Sequence, residues 1–248
     1  MPAMEGGIKV ILAPEQIGTI FGLPLTNTLL TSWIVLGVLI LIAILIGSRL
    51  KMTPSRPQVL FEWLVEFIYD YVAEILESRD LARRFFPYLA TIFLFVFTSN
   101  LLEFTPGIGS LGLVHGGEFI PLLRSVNTDL NVTLMLAIMS FLVIEITGIT
   151  VIGVGKYAGK FLNFHSPIGF LVGIIELFSE VARIISFSFR LFGNIFAGEV
   201  LILVVIYFLP YVAPVPVMAF EVFVGFVQAA IFTLLTLFFI KIAIAEPH

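Results

Sequence analysis

"IGFLVGIIELFSEVARIISFSFRLFGNIFAGEVLILVVIYF", residues 168–208, is 41 residues of mostly apolar sequence with no proline in it. As one helix it runs about 60 Å at 1.5 Å per residue, about twice the 30 Å hydrocarbon core of a bilayer. Either the tract breaks into two spans or it crosses strongly tilted. Gly169, Gly173, Gly193 and Gly198 offer places to bend, but no basic or proline-rich turn divides it. One tilted helix is therefore expected.

The rest of the chain agrees with a membrane setting. Of 248 residues 59% are hydrophobic and 12% charged, about half the charge of a soluble domain. The apolar runs are continuous rather than alternating, which excludes an outer-membrane barrel. Helices are the remaining way to satisfy a backbone in lipid. Cysteine is absent, so disulfide frameworks, thiolate metal sites and cysteine nucleophiles are excluded. A net charge of −4 does not point to nucleic acid. The first 25 residues lack a basic region followed by an apolar core, so no cleavable signal peptide is expected.

A single polytopic domain over 1–248 is expected, an all-α membrane protein with about five to six hydrophobic helices, the last two long and strongly tilted. Residues 25–46 form the first span, followed by the basic loop SRLKMTPSRP. Residues 58–80 read as an amphipathic interfacial helix opened by Pro57. Leu60, Trp63, Leu64, Phe67, Ile68, Tyr71, Val72 and Ile75 form its apolar stripe, and Glu62, Glu66, Asp70, Glu74 and Glu77 its acidic face. Residues 85–102 and 130–152 are further spans, separated by a glycine-rich loop at 106–126. A short polar loop with Lys156 and Lys160 leads into 168–208, and the turn LPYVAPVP into the final tract, 215–245.

Loop charges orient the chain. Arg49, Lys51, Arg56, Arg79, Arg83, Arg84, Lys156, Lys160 and Lys241 fall on one side, against Lys9 and Arg124 on the other. This positive-inside bias puts the N-terminus outside and the C-terminus in the cytoplasm.

The intramembrane charges are ordered. With Arg190 at zero on a helical wheel, Arg183 falls near about 20°, Glu176 and Asn194 near about 40°, and Glu180 near about 80°. Glu199 lies on the opposite side. Gln228 and Glu221 share a face of the last tract, and Glu145, Asn131 and Lys156 share one on the third span. Arginine at mid-membrane costs about 2.5–3.5 kcal/mol on insertion scales and does not escape by deprotonating. A fixed cation beside protonatable carboxylates suits a path in which protons move through the acids and are refused by the arginine. The plain structural alternative is that Arg183 and Arg190 pair with Glu176 and Glu180 along their own helix. That serves Arg183, but Arg190 has Ser186, Phe187, Gly193 and Asn194 at three and four residues' spacing. Its counter-charge must come from another helix or another chain. For Glu145 and Glu221 the alternative is burial in a satisfied bundle interior.

Enzyme motifs are missing. There is no GxxxxGK[ST] loop, and GVGKYAG at 153–159 is only superficially similar. His115, His165 and His248 lack metal-ligand spacing. No bond chemistry, cofactor or metal is expected.

RLFGNIFAGE, Arg190 to Glu199, followed by QAAIF from Gln228 and preceded by NTDLNVT at 127–133, resembles subunit a of the F-type ATP synthase. The resemblance covers most of the chain and is strongest from Ser125 onward. It implies a non-catalytic stator subunit beside a rotor ring of c subunits that each carry one buried carboxylate; a bacterial inner membrane is expected, ahead of an organellar energy-coupling membrane. It also implies contact with peripheral-stalk b subunits, which the 58–80 segment is expected to meet. Two half-channels that do not join lead to the ring from opposite sides. Arg190 matches the arginine that separates them and faces the ring carboxylate. Asn194 and Gln228 match polar positions near it, and Glu199 and Glu221 match the relay of one half-channel. Many members carry a histidine at one of those two positions, where this chain has glutamate twice. Glu145, Asn131 and Glu176 also stand at matching positions. A different reading from the same residues is a secondary transporter binding an anionic substrate at Arg190. Such folds usually show two similar halves, and no internal repeat is visible here.

Overall fold

The computed structural model of the protein describes residues 13–20, 22–51, 53–104, 111–115, 118–161 and 167–245. Lys9, His165, His248 and the 106–110 part of the glycine-rich stretch lie outside the described residues. The elements in order are β1 (Gln16–Ile20), β2 (Leu23–Thr26), α1 (Asn27–Gly47), α2 (Arg56–Leu76), α3 (Arg79–Leu102), β3 (Gly112–His115), β4 (Glu118–Pro121), a 3-10 turn (Val126–Thr128), α4 (Leu130–Ile152), α5 (Val154–Phe161), α6 (Pro167–Phe208) and α7 (Pro214–Ile244). Helices α1, α3, α4, α6 and α7 are each long and apolar enough to cross a membrane. The protein is an α-helical membrane protein with two short hairpins, and α6 runs unbroken for 42 residues.

Several boundaries differ from expectation, those around α2, α3 and α5 for local reasons. The amphipathic helix stops at Leu76 because Glu77 takes a left-handed conformation (φ 53°), its amide turning back to the carbonyls of Ala73 and Glu74. Ser78 then caps the next helix, its hydroxyl accepting from the Leu81 amide at 3.3 Å. Helix α3 therefore begins at Arg79, several residues before 85. The polar loop after α4 is instead the short helix α5. Gly153, at φ +91°, ends α4 and reverses the chain. Within the described part of 106–126 the loop is an antiparallel hairpin, β3 on β4, followed by the 3-10 turn. A second antiparallel hairpin, β1 on β2, leads directly into α1.

The chain forms two compact units. The first takes the chain up to Ile42, Leu94–Thr133 and Arg190–Ala230; the second takes Ala43–Phe93, Leu134–Phe189 and the chain from Ile231 on.

Helices in lipid gain little from apolar burial against one another, so packing and interhelical hydrogen bonds hold them. The first unit relies on the latter. Buried Asn100 on α3 donates to the carbonyl of Gly225 on α7 at 2.9 Å and accepts from Asn127 at 2.6 Å. A Cβ at Gly225 would lie 2.9 Å from that of Asn100, so glycine permits the close approach. Thr28 on α1 donates to Asp129 at 2.7 Å, and the Arg124 amide donates to the Thr31 hydroxyl at 3.2 Å.

The second unit is packed mainly with apolar side chains. Val72 and Leu76 of α2, Phe85 and Leu89 of α3, Ile144 of α4, and Leu237 and Ile240 of α7 form one buried cluster. Only the C-terminal turns of α2 join it. Leu60, Trp63, Leu64 and Phe67, further up the same helix, are exposed.

Candidate functional site

Six of the eight sequence-selected residues fall in the first unit: Arg190, Asn194, Glu199, Glu221, Gln228 and Asn131. Glu145 and Glu176 belong to the second.

In the first unit Glu199 and Glu221 are brought together. Glycine makes this possible: Gly198 on α6 is buried directly against the Glu221 carboxylate of α7, where a Cβ would stand 2.9 Å from Oε1. Glu221 is buried and Glu199 half-buried. Two further charges complete the cluster. The buried Arg124 donates from Nη2 to Glu199 Oε2 at 3.5 Å and from Nη1 to the Ala13 carbonyl at 3.1 Å. Glu103, one residue beyond α3, lies close enough to feel Glu199, Glu221 and Arg124. Burial pushes its carboxyl up to about 8, and the two glutamates push the same way, while the Ser125 hydroxyl and Arg124 oppose them. The result is a cluster in which Arg124 lies against Glu199 and Glu103 senses Glu199, Glu221 and Arg124, with Glu103 mostly holding its proton at neutral pH.

From sequence alone Glu103 is simply the residue after the 85–102 span, and Arg124 reads as a loop charge. The available signal was that both are charges abutting the same ends of the spans. Their meeting with Glu199 and Glu221 is tertiary.

Arg190 and Asn194 project from α6 as exposed side chains, among exposed Ile185 and Phe189. Gln228 is buried on α7. Asn131 serves the start of α4: its amide and side chain both donate to Asp129 Oδ1, at 2.9 and 3.0 Å.

The second unit holds another charged group. Arg183 pairs with buried Glu180 one turn away, and its guanidinium stacks 3.9 Å from the centroid of the Phe239 ring. The Glu145 carboxylate accepts from the hydroxyl of Tyr157, on α5, at 2.9 Å. Burial drives the Tyr157 phenol above the usual tyrosine range, and the bond to Glu145 and the charge of Glu180 act in the same sense. Arg183 opposes them. Glu176 is half-buried on α6. Among the described residues no group of three or more histidines and acids is arranged to hold a metal ion.

Both clusters set protonatable carboxylates beside an arginine. The family described as ATP synthase A chain matches residues 29–241. The chain is 30% identical over 228 residues to ATP synthase subunit a of Moorella thermoacetica, covering 92% of this chain and 94% of that one. It is 32% identical over 218 residues to the subunit a of Campylobacter fetus, covering 87% and 90%. It is 30% identical over 251 residues to "ATP synthase subunit a, sodium ion specific" of Propionigenium modestum, covering 100% and 84%.

Proposed function

The chain belongs to the ATP synthase A chain family, and from that premise we propose that it is the stator's ion-path subunit, carrying protons to and from a rotor ring through two separate half-channels. As a membrane-sector component it works within the ATP synthase complex. The observation that carries the reading is Arg190, exposed with Asn194 on one face of α6, a helix long and apolar enough to cross a membrane. An arginine on the outer face of such a helix suits recognition of a carboxylate on each rotor subunit.

In this mechanism Arg190 keeps the arriving ring carboxylate ionised and blocks direct proton transfer between the half-channels. Asn194 and Gln228 order the polar surroundings of that exchange. The Glu103–Arg124–Glu199–Glu221 cluster supplies the half-channel from the outside, and Glu145, Glu176 and the Glu180–Arg183 pair line the route to the cytoplasm. Coupling requires that the two never join, since each charge crossing 100 mV carries about 2.3 kcal/mol that a leak would dissipate. At about 63 Å, α6 is long enough to lie tilted along a curved ring wall. The excess of basic residues near α2, α3 and α5 supports a cytoplasmic C-terminus in a bacterial inner membrane, with α2 meeting the peripheral stalk's b subunits. The transporter reading is not favoured, because the relatives are ATP synthase subunits along nearly their whole length. One relative is named sodium ion specific at the same identity as a relative without that description, so the ion rests on pumping measured with and without sodium.

The test is ATP-driven proton pumping in inverted vesicles carrying Arg190→Ala, with passive leak measured after the catalytic head is stripped. Pumping is expected to vanish with assembly intact and the leak to change. Normal pumping would overturn the reading.

A further inference from the structure

Tyr157 lies in a segment that reads as a polar loop, yet it is 5% exposed. Two glycines put it there. Gly153, at φ +91°, reverses the chain after α4 so that α5 folds back. Gly148, on α4, leaves the notch the ring fills: a Cβ there would stand 2.9 Å from Tyr157 Cζ and 3.1 Å from the Ala243 carbonyl of α7. Phe161, one turn on, meets the ring edge-on with centroids 5.8 Å apart. A phenylalanine would fill this notch equally well, without a buried hydroxyl to satisfy. The hydroxyl instead reaches Glu145 at 2.9 Å, one turn before the notch on the same face of α4.

The charged groups acting on the phenol are Glu145 from α4 and Glu180 and Arg183 from α6; from α7 the notch is closed by the Ala243 carbonyl. Burial and the two glutamates keep the phenol protonated across the working pH range. It is therefore a permanent hydrogen-bond donor that also offers an oxygen lone pair. A group of that kind passes protons without ionising.

We propose that Tyr157 is a proton-relay residue at the cytoplasmic end of the ion path, handing protons between water and the Glu145 carboxylate. Hydronium on the cytoplasmic side gives a proton to the phenol oxygen while the phenol's own proton moves to Glu145 Oε2. Water and a neutral carboxylic acid result, and the phenol is unchanged. Rotation about its C–O bond resets it, and the reverse sequence releases a proton. This rests on the reading of the chain as the stator's ion-path subunit.

The test is Tyr157→Phe, which keeps the ring in its notch, in whole complexes with assembly quantified by the amount of chain retained. Passive proton conductance of head-stripped vesicles, per assembled complex, is expected to fall about fivefold or more, and the solvent hydrogen-isotope effect on that conductance to change. In a Glu145→Gln background the same substitution should add little, because the acceptor has already gone. Unchanged or raised conductance, or effects of the two substitutions that simply multiply, would overturn the relay. If Tyr157→Phe fails to assemble, Tyr157→Trp and the single Glu145→Gln carry the same conductance test, and wild-type conductance in both overturns it. The Arg190→Ala result stands apart: lost pumping there with normal Tyr157→Phe conductance removes only the relay, whereas intact pumping removes the ion-path reading itself.

Discussion

Replacing Gly198 with alanine isolates the position of one carboxylate from the stability of the fold. The new Cβ would stand 2.5 Å from Cδ and 2.9 Å from Oε1 of Glu221, well inside the roughly 3.5–4.0 Å at which carbon atoms rest in contact. About 1 Å of movement restores contact distance. The atoms in the way are the far end of a flexible side chain, so Glu221 yields rather than the helices. Holding it off its preferred rotamer costs about 0.5–1.5 kcal/mol, too little to dissolve the assembly. Function is more sensitive, because a 1 Å misplacement of a reacting group can cost about a hundredfold. Gly198→Ala complexes should therefore assemble in normal amounts and pump about 10- to 100-fold more slowly, read by dye quenching in inverted vesicles.

A compensating substitution sharpens the test. Glu221→Asp retracts the carboxylate by one bond, about 1.5 Å. It should slow pumping in the native background, where it opens a gap to Gly198, and speed it in the Gly198→Ala background, where it removes the collision. Such a reversal of sign is the signature of two groups sharing one space. Wild-type pumping in Gly198→Ala would refute the reasoning, as would loss of the subunit from the complex, since the side chain would then not be what gives way.

Glu103→Gln should flatten two pH dependences. The folded chain holds the Glu103 proton up to about 8 while the unfolded chain releases it near 4.5, so the native state binds more protons between these values and stability falls as pH rises across that window. Thermal melts of detergent-purified protein should show that slope in the wild type and lose it in the variant, and the inflection of pumping near pH 8 on the outer side should disappear with it. Asn100→Ala strips partners from the Gly225 carbonyl and the Asn127 amide in a buried setting, at about 1–3 kcal/mol for each group left unsatisfied. Melting should fall accordingly, and adding Asn127→Ala should cost less than it does alone, because the two share one network; fully additive losses would show that they do not.

What was legible in the sequence was whatever a single helix encodes. The bounds of α4, α6 and α7 follow from uninterrupted apolar length, and the alignment of Arg190 with Asn194 follows from the helical period. Where the chain turns on itself the signal fails. Glu77 adopts φ 53° although it is not glycine, so nothing marked the end of α2. Strands of four and five residues are too short to show a period. Helix α5 is eight residues long, and its one informative residue, Tyr157, gains its meaning from a notch at Gly148 that no linear pattern reveals. Glu103 and Arg124 are 21 residues apart in sequence and far from Glu199 and Glu221; only the packed helices bring the four together.

That cluster also accounts for a departure from the family's pattern. The resemblance implies that many members carry a histidine at the position of Glu199 or Glu221, a group that brings its own positive charge when protonated. Here both are glutamates, and Glu103 adds a third carboxylate. Like charges crowded at one site do not all ionise together. Two features of this chain relieve the crowding: the Arg124 guanidinium lies against Glu199, and burial raises the Glu103 carboxyl to about 8, so that it is mostly neutral at pH 7. At neutral pH the four groups then carry at most two negative charges and one positive, which is the balance that a histidine cation would otherwise have to supply. The second glutamate is therefore tolerable because of a loop arginine that its own helix does not contain.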